Sequence, residues 1–280
     1  MTIQFGHICP IPHLDLVKGR PFHLTLAHLV EESEVYTEFY HNESVQSYPT
    51  ALQVMDNSAF EMYKQGRDMY DSDKLVEMGT RVGADYIALS DYPAEPGYKT
   101  IEAAERMACD VKDAGFGTFF IPQSKIGDMN DLVETYLWAA QSELIDYIGF
   151  SILAIPNASG VEKDNKLQRF VSRPIFCHDL EETDFWHMVE ENSKKIHFLG
   201  MVDGPNEIQF VNKGRFPVDS WDSSSAIWAG LNGINYDRTP TGLRDGKFEL
   251  EVDFDFKTDD ISNVGKAISN MEYIDELCEL

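Results

Sequence analysis

Residues 84–123 read ADYIALSDYPAEPGYKTIEAAERMACDVKDAGFGTFFIPQ. Two short runs rich in apolar and aromatic residues, Ala84 to Asp91 and Gly117 to Gln123, enclose a stretch from Thr100 to Gly115 whose apolar residues recur three or four apart. That spacing builds one face of a helix, and the flanking runs have the length and composition of strands. Gly115 stands where a helix C-cap is expected, because glycine enters the left-handed backbone region without a Cβ clash. The segment therefore reads strand, helix, strand.

Working outward, similar runs recur at Ile3 to Cys9, Phe22 to His28, Ala51 to Asp56, Ile145 to Ile152, Ile196 to Met201 and Val218 to Asp222, which makes eight. Helical spacing lies between most of them, at Asp73 to Val82 with Gly83 at its cap, at Met129 to Glu143 and at Asp184 to Lys195. Repeated strand–helix units place helices over a parallel sheet. The prediction is an α/β chain folded as one (β/α)8 TIM barrel spanning 1–280, with a core over about 3–230 and a short C-terminal extension over 231–280. Barrels of this kind commonly hold about 250 residues. An open, doubly wound sheet gives the same periodicity, which does not report closure.

Two parts fit the repeat less well. Pro156 to Pro174 reads as a polar, irregular insertion after the sixth run, and the tail from Gly230 carries Gly, Asn, Pro and Asp turn signals. Within that tail, Glu249 to Phe256 alternates acidic and apolar residues, the pattern of a half-exposed extra strand beside the barrel.

Composition narrows the function classes. Hydrophobic residues make up 43% and charged residues 25%, enough for a core and unlike a disordered chain. No run of about 18 apolar residues is present, and Met1 to Pro12 lacks the basic-then-apolar order of a signal peptide. These features predict a cytoplasmic protein with no membrane partner. The cysteines, Cys9, Cys109, Cys177 and Cys278, are scattered and read as reduced thiols. A formal charge of −25 argues against broad phosphate binding, which depends on Lys and Arg displacing counterions. Even so, Lys163, Lys166, Arg169 and Arg173 fall close together, with Lys194 and Lys195 further on. They make either a local basic lip or an ordinary solvated loop.

In barrel enzymes the chemistry sits at the C-terminal ends of the strands. Here the third run ends in Asp56-Asn57-Ser58-Ala59-Phe60-Glu61, the fourth in Ser90-Asp91-Tyr92-Pro93, the fifth in Pro122-Gln123-Ser124, and the eighth in Asp219-Ser220-Trp221-Asp222-Ser223. Any one of these acids is explained by capping the helix that follows. Several at equivalent strand ends, with a glutamine, favour a site. Carboxylates in a group suit reactions at a sugar carbon, where one attacks and another moves a proton.

These segments resemble the tRNA-guanine transglycosylases and their DNA-modifying DpdA-type relatives of phages and bacteria. Asp56-Asn57-Ser58-Ala59-Phe60-Glu61 is similar to the family's Asp-Ser-Gly-Gly-Phe-Gln motif. Leu89-Ser90-Asp91 resembles its base-recognising strand, Ile121-Pro122-Gln123 its glutamine strand, Tyr147-Ile148-Gly149-Phe150 its glycine-bearing strand, and Phe198-Leu199-Gly200-Met201 its seventh strand. Val218-Asp219-Ser220-Trp221-Asp222-Ser223 resembles the segment ending in the nucleophile, and the alignment selects Asp222 over Asp219. Each motif is short, and specificity lies in their order over residues 20–230.

The resemblance implies that Asp222 attacks C1′ of a guanosine nucleotide, that Asp56 transfers the proton, and that a 7-deazaguanine such as preQ0 or preQ1 replaces guanine as a co-substrate. Asp91, Gln123, Asn57, Ser58, Gly149 and Phe150 would surround the base. Phe60 would either pack near it or anchor the loop behind Asp56. Lys163, Lys166, Arg169 and Arg173, with Arg215, Arg238 and Arg244, are the candidate backbone contacts.

Two departures shape the expected substrate. The tRNA enzymes carry a Cys-x-Cys-x-x-Cys cluster and a His after the eighth strand for structural zinc, whereas this chain has only Cys278 beyond Asp222. No zinc or other cofactor is expected, and DNA becomes the favoured substrate over tRNA. Phe150-Ser151-Ile152 stands where those enzymes have a small Gly-Leu-Ala stretch, which bears on base preference. The acidic charge points to a basic protein partner that aids DNA binding, or to a narrow positive track on this chain. Three rival readings remain: tRNA exchange, a barrel glycoside hydrolase using Asp56 and Asp222, and a non-catalytic acidic DNA mimic.

Overall fold

The computed structural model describes residues 2–46, 51–162, 165–201, 205–214, 216–236 and 251–279. Each predicted run forms a strand: β1 Gln4–His7, β2 Phe22–Leu26, β3 Leu52–Asp56, β4 Tyr86–Ala88, β5 Gly117–Phe120, β6 Tyr147–Ser151, β7 Lys195–Leu199 and β8 Ser220–Ser223. All ladders are parallel, in the order β1-β8-β7-β6-β5-β4-β3-β2. The ends of that order, β1 and β2, lie against each other, so the sheet curls into a nearly closed barrel and the open-sheet alternative falls. Gly6 permits this approach, since a Cβ there would stand 3.0 Å from the Phe22 ring and 3.3 Å from the Leu24 amide nitrogen.

Helices separate the strands: α1 Ala27–Glu32, α2 Glu34–Gln46, α3 Ala59–Gln65, α4 Ser72–Val82, α5 Gly97–Asp113, α6 Met129–Gln141, α7 Ala154–Ala158, α8 Lys166–Asp179, α9 Phe185–Glu191, α10 Pro205–Gly214, α11 Ser225–Leu231 and α12 Ile261–Cys278. α4 shows the local logic. Asp71 caps its start by accepting from the Lys74 amide, Leu75, Met78 and Val82 bury one face, and Gly83 ends it at φ 71°. Burying each large apolar side chain contributes about 1.5–3 kcal/mol, which outweighs any propensity term.

Three expectations are corrected. The segment Pro156 to Pro174 is largely helical among its described residues, forming the end of α7 and much of α8, with Pro174 inside α8. Phe170, Phe176 and Cys177 are buried there, and that burial offsets the helix hydrogen bond a proline deletes. The helix foreseen to Lys195 stops at Glu191, because Lys195 already begins β7. Finally, residues 251–256 are irregular, not a strand, although Phe254 still turns onto His28 and Phe256 onto Trp228. Nearly every barrel strand already has partners on both sides, which leaves little edge to pair with. Glu249 lies outside the described residues.

The extension contributes more than a tail. Ala267, Met271, Ile274 and Cys278 recur at helical spacing on the buried face of α12. The helix meets α11 at Gly230, where any Cβ would collide with the Ala267 backbone, and Cys278 O accepts from the Ile3 amide at 2.9 Å. Thus α12 braces β1 from outside. No helix among the described residues is long and apolar enough to cross a membrane.

Candidate active site

Asp56 ends β3, Asp222 is the third residue of β8, and Asp91 and Gln123 each lie three residues beyond the ends of β4 and β5. All four occupy the C-terminal face of the barrel. None of the three acids caps a helix. The N-cap residues of α3, α5 and α11 are Ser58, Pro96 and Ser224, all without a side-chain cap hydrogen bond, so the capping explanation fails at every position.

Asp91 is gripped by two amides. Asn57 Nδ2 donates to Oδ1 at 2.8 Å and Gln123 Nε2 to Oδ2 at 2.5 Å. Asn57 is itself fixed, donating to Leu89 O at 2.5 Å and accepting from the Ala59 amide at 2.8 Å. Burial raises the Asp91 carboxyl to about 6, with the two amides pulling the other way. A carboxylate offers about four lone-pair sites. The two side-chain amides and the backbone N–H of Asp91 itself take up part of this capacity, and the remainder is open to a donor on a ligand.

Asp56 is different. Burial, then the neighbouring carboxylates of Glu61, Asp91 and Asp222, push its carboxyl well above the ordinary aspartate range. Crowded like charges cannot all ionise, which favours the protonated form of Asp56. Glu61 is raised too, chiefly by burial. The electrostatic link from Asp56 to Asp91 and Asp222 brings the three acids into one site.

Asp222 has unequal oxygens. Oδ1 lies 3.0 Å from His197 Nε2 and accepts from the Gly200 amide at 3.3 Å. Among the described residues no hydrogen bond reaches Oδ2. Gly200 presents its amide at φ 69°, and its carbonyl accepts from Arg173 Nη2 at 2.7 Å and Trp221 Nε1 at 2.8 Å. Asp219, by contrast, sits at the opposite end of the strand and accepts from the Ile196 amide at 2.7 Å.

Other expected contacts fare unevenly. Ser58 is fully buried, and its hydroxyl is committed to the His28 amide at 3.1 Å and ring Nδ1 at 2.8 Å, so it does not face a ligand. Gly149 is small because Leu199 and Phe119 fill the space beside it, and its carbonyl accepts from Tyr136. Phe150 points away from the barrel axis into a cluster with Tyr136, Phe176, Phe185 and Trp186, which removes its ring from the base-binding set. Phe60 is exposed at 40% beside Lys64 rather than buried behind Asp56.

The basic lip is corrected as well. Arg173 is buried, with Nε donating to Glu207 at 2.7 Å and Nη1 to Phe150 O at 2.7 Å and Leu199 O at 3.0 Å. It is a structural clamp, not a backbone contact. Lys194 and Lys195 bind carbonyls and Tyr86 OH near the strand N-termini, away from the mouth. Arg169 remains half-buried in α8, its Nη1 without a hydrogen-bond partner among the described residues. Lys163, the Lys166 side chain, Arg215, Arg238 and Arg244 lie outside the described residues.

A cavity of about 460 Å³ opens at the other end of the barrel, lined by Leu52, Asp85, Tyr86, Gly117, Asp146, Ser193 and Lys195. Its acids are occupied, Asp85 with the Gln53 amide and Asp146 with the Thr118 amide, both bonds that secure strand starts. Such bonds at strand starts serve stability, whereas the C-terminal face carries the uncommitted groups. Reading the sequence missed His197, which sits two residues before Leu199 and shares its side of the strand. The signal was its position: His197 pairs in register with Ser220, as Leu199 does with Asp222.

No protein-family model matches the chain, and no curated protein matches it. Among the described residues no group of three His, Cys, Asp or Glu is placed to hold a metal ion.

Proposed function

We propose that the protein is a guanine transglycosylase of the DpdA-type branch, exchanging guanine in DNA for a 7-deazaguanine. The observation that supports this best is the division among three acids at one mouth. The Asp56 carboxyl is pushed toward its protonated form, Asp222 is anchored by one oxygen with the other uncommitted, and Asp91 is gripped by amides with acceptor capacity to spare. The ordered strand-end motifs support the same reading.

In this mechanism Asp222 Oδ2 forms a bond to C1′ of the nucleotide as the C1′–N9 bond breaks. The bonding electron pair leaves with guanine, which takes a proton from Asp56. An incoming base then gives a proton back to Asp56, and its N9 displaces Asp222 from C1′. Asp91, with Gln123, accepts from N–H groups on the base edge. The target base must be flipped out or presented on a single strand to reach such a site.

DNA is favoured over tRNA because the cysteine set of the tRNA enzymes' zinc subdomain is missing. Cys278 is the one cysteine after Asp222, and it is buried in α12 against β1. The charge of −25 favours a basic protein partner during DNA engagement. Labelled 7-deazaguanine offered with DNA or tRNA, with and without cell extract, tests the proposal. Label is expected in DNA; label in tRNA alone moves the substrate, and label in neither overturns the reading.

A further inference from the structure

Behind Asp222 runs a buried chain of polar groups that the reaction above does not use. His197 Nδ1 lies 2.5 Å from Ser220 Oγ, and Ser220 Oγ lies 2.7 Å from Tyr147 OH. All three residues are fully buried in the barrel, and the imidazole is enclosed by the rings of Phe22, Phe119 and Tyr147. A polar chain at such depth is costly unless every donor finds an acceptor.

That condition fixes the direction of the protons. Burial pushes the Tyr147 hydroxyl above the ordinary tyrosine range, so it stays a donor. Tyr147 O–H then donates to Ser220, Ser220 O–H donates to Nδ1, and Nε2–H donates to Asp222 Oδ1. The reverse arrangement fails twice. Tyr147 O–H would have no acceptor among the described residues, and the Nε2 lone pair would face a carboxylate oxygen at 3.0 Å.

We infer that His197 is a positioning residue for Asp222: the Tyr147–Ser220 relay sets its Nε2–H tautomer, which with the Gly200 amide anchors Oδ1 and leaves Oδ2 to attack. The inference rests on Asp222 being the nucleophile. Each partner does a separate task. The aromatic cage orients the ring, Ser220 chooses which nitrogen carries the proton, and Gly200, held by Arg173, supplies the second donor. A third group that orients a catalytic pair through its tautomer is a recurrent requirement of nucleophilic sites.

Two measurements test it on the full chain. Nitrogen NMR of histidine-labelled protein near neutral pH reads the tautomer directly: an Nε2–H ring is expected, altered in Asp222→Asn and mixed in Ser220→Ala. An Nδ1–H ring, or one unmoved by both substitutions, overturns the relay. Base exchange gives the second readout. Ser220→Ala and His197→Ala are expected to lower kcat about tenfold to a hundredfold, the loss of one charge-assisted hydrogen bond, with KM little changed. His197→Gln, which keeps an amide donor, is expected to recover part of that loss. Unchanged kcat in folded Ser220→Ala and His197→Ala refutes the positioning role. If wild-type protein exchanges no base, the transglycosylase reading falls while the ring signals still judge the relay.

Discussion

Asp91 and Gln123, projecting from neighbouring strands, are joined at 2.5 Å through Nε2 and Oδ2. This bond makes a rigid acceptor edge out of two loop residues, and in the proposed reaction it would tie base binding to one ionisation. With the Asp91 carboxyl at about 6, protonation below that pH removes an acceptor that donors on a purine edge require. We expect kcat/KM for base exchange to fall as pH drops through about 6, mainly through KM. A flat acid limb across that range would show that Asp91 does not read the base.

The same carboxylate carries a stability cost. Its folded value of about 6 lies above the ordinary 3.8, so between those values the folded state binds more protons than the unfolded one. Stability from this group is therefore lost as pH rises through the window, by roughly 3 kcal/mol in all. Asp91→Asn, with Gln123 turning its amide to match, is expected to raise the melting temperature by several degrees at pH 8 relative to wild type, and little near pH 3.5. Loss of stability at both pH values would contradict this account, and base exchange should be lost regardless.

The difference between what was and was not legible follows from range. Strands could be found because β-branched and aromatic runs such as Ala84 to Asp91 have a local period, and closure could not because β1 meets β2 only in space. The acids were placed correctly on one face because strand direction fixes which end a residue such as Asp56 occupies. Their separate roles came from the resemblance alone, because composition and spacing do not distinguish one strand-end acid from another. That the Asp56 carboxyl is raised depends on its burial and on the nearness of Glu61, Asp91 and Asp222, which are facts of geometry. Arg173 misled for the opposite reason: a cation in a basic cluster reads as solvent-facing, yet a carboxylate 34 residues later, Glu207, drew it inside. α12 was overlooked because turn residues around it masked a regular 267, 271, 274, 278 spacing.

Asp222→Asn should leave the fold intact, since Asn Oδ1 can still accept from His197 and Gly200. Its loss as a nucleophile is expected to reduce kcat by on the order of 10⁴-fold or more. Mass spectrometry of protein quenched with DNA should show a glycosyl adduct on wild type and none on the variant. Retained turnover would remove Asp222 from the nucleophile role and with it the proposed reaction. Retained binding of a DNA-binding partner with no turnover in either protein would favour an acidic mimic.

Arg173 provides the sharpest separation of structure from nucleic-acid binding. Its guanidinium meets Glu207 at 2.7 Å with both side chains buried, caps the carbonyls of Phe150, Leu199 and Gly200, and lies 4.6 Å from the Phe198 ring centroid and 4.9 Å from that of Trp221. Breaking such a buried pair by removing one partner costs about 3–5 kcal/mol. Arg173→Met is accordingly expected to lower the midpoint of denaturant unfolding, and to slow base exchange because Gly200 no longer holds its amide toward Asp222. The salt dependence of DNA binding should stay the same, since a buried guanidinium releases no counter-ions from phosphate. Arg169→Met gives the contrast: it lies four residues earlier on the same helix, half-buried and without a partner for Nη1 among the described residues, and its removal should cost little stability. A shallower salt slope in Arg173→Met with unfolding unchanged would return that arginine to the DNA interface.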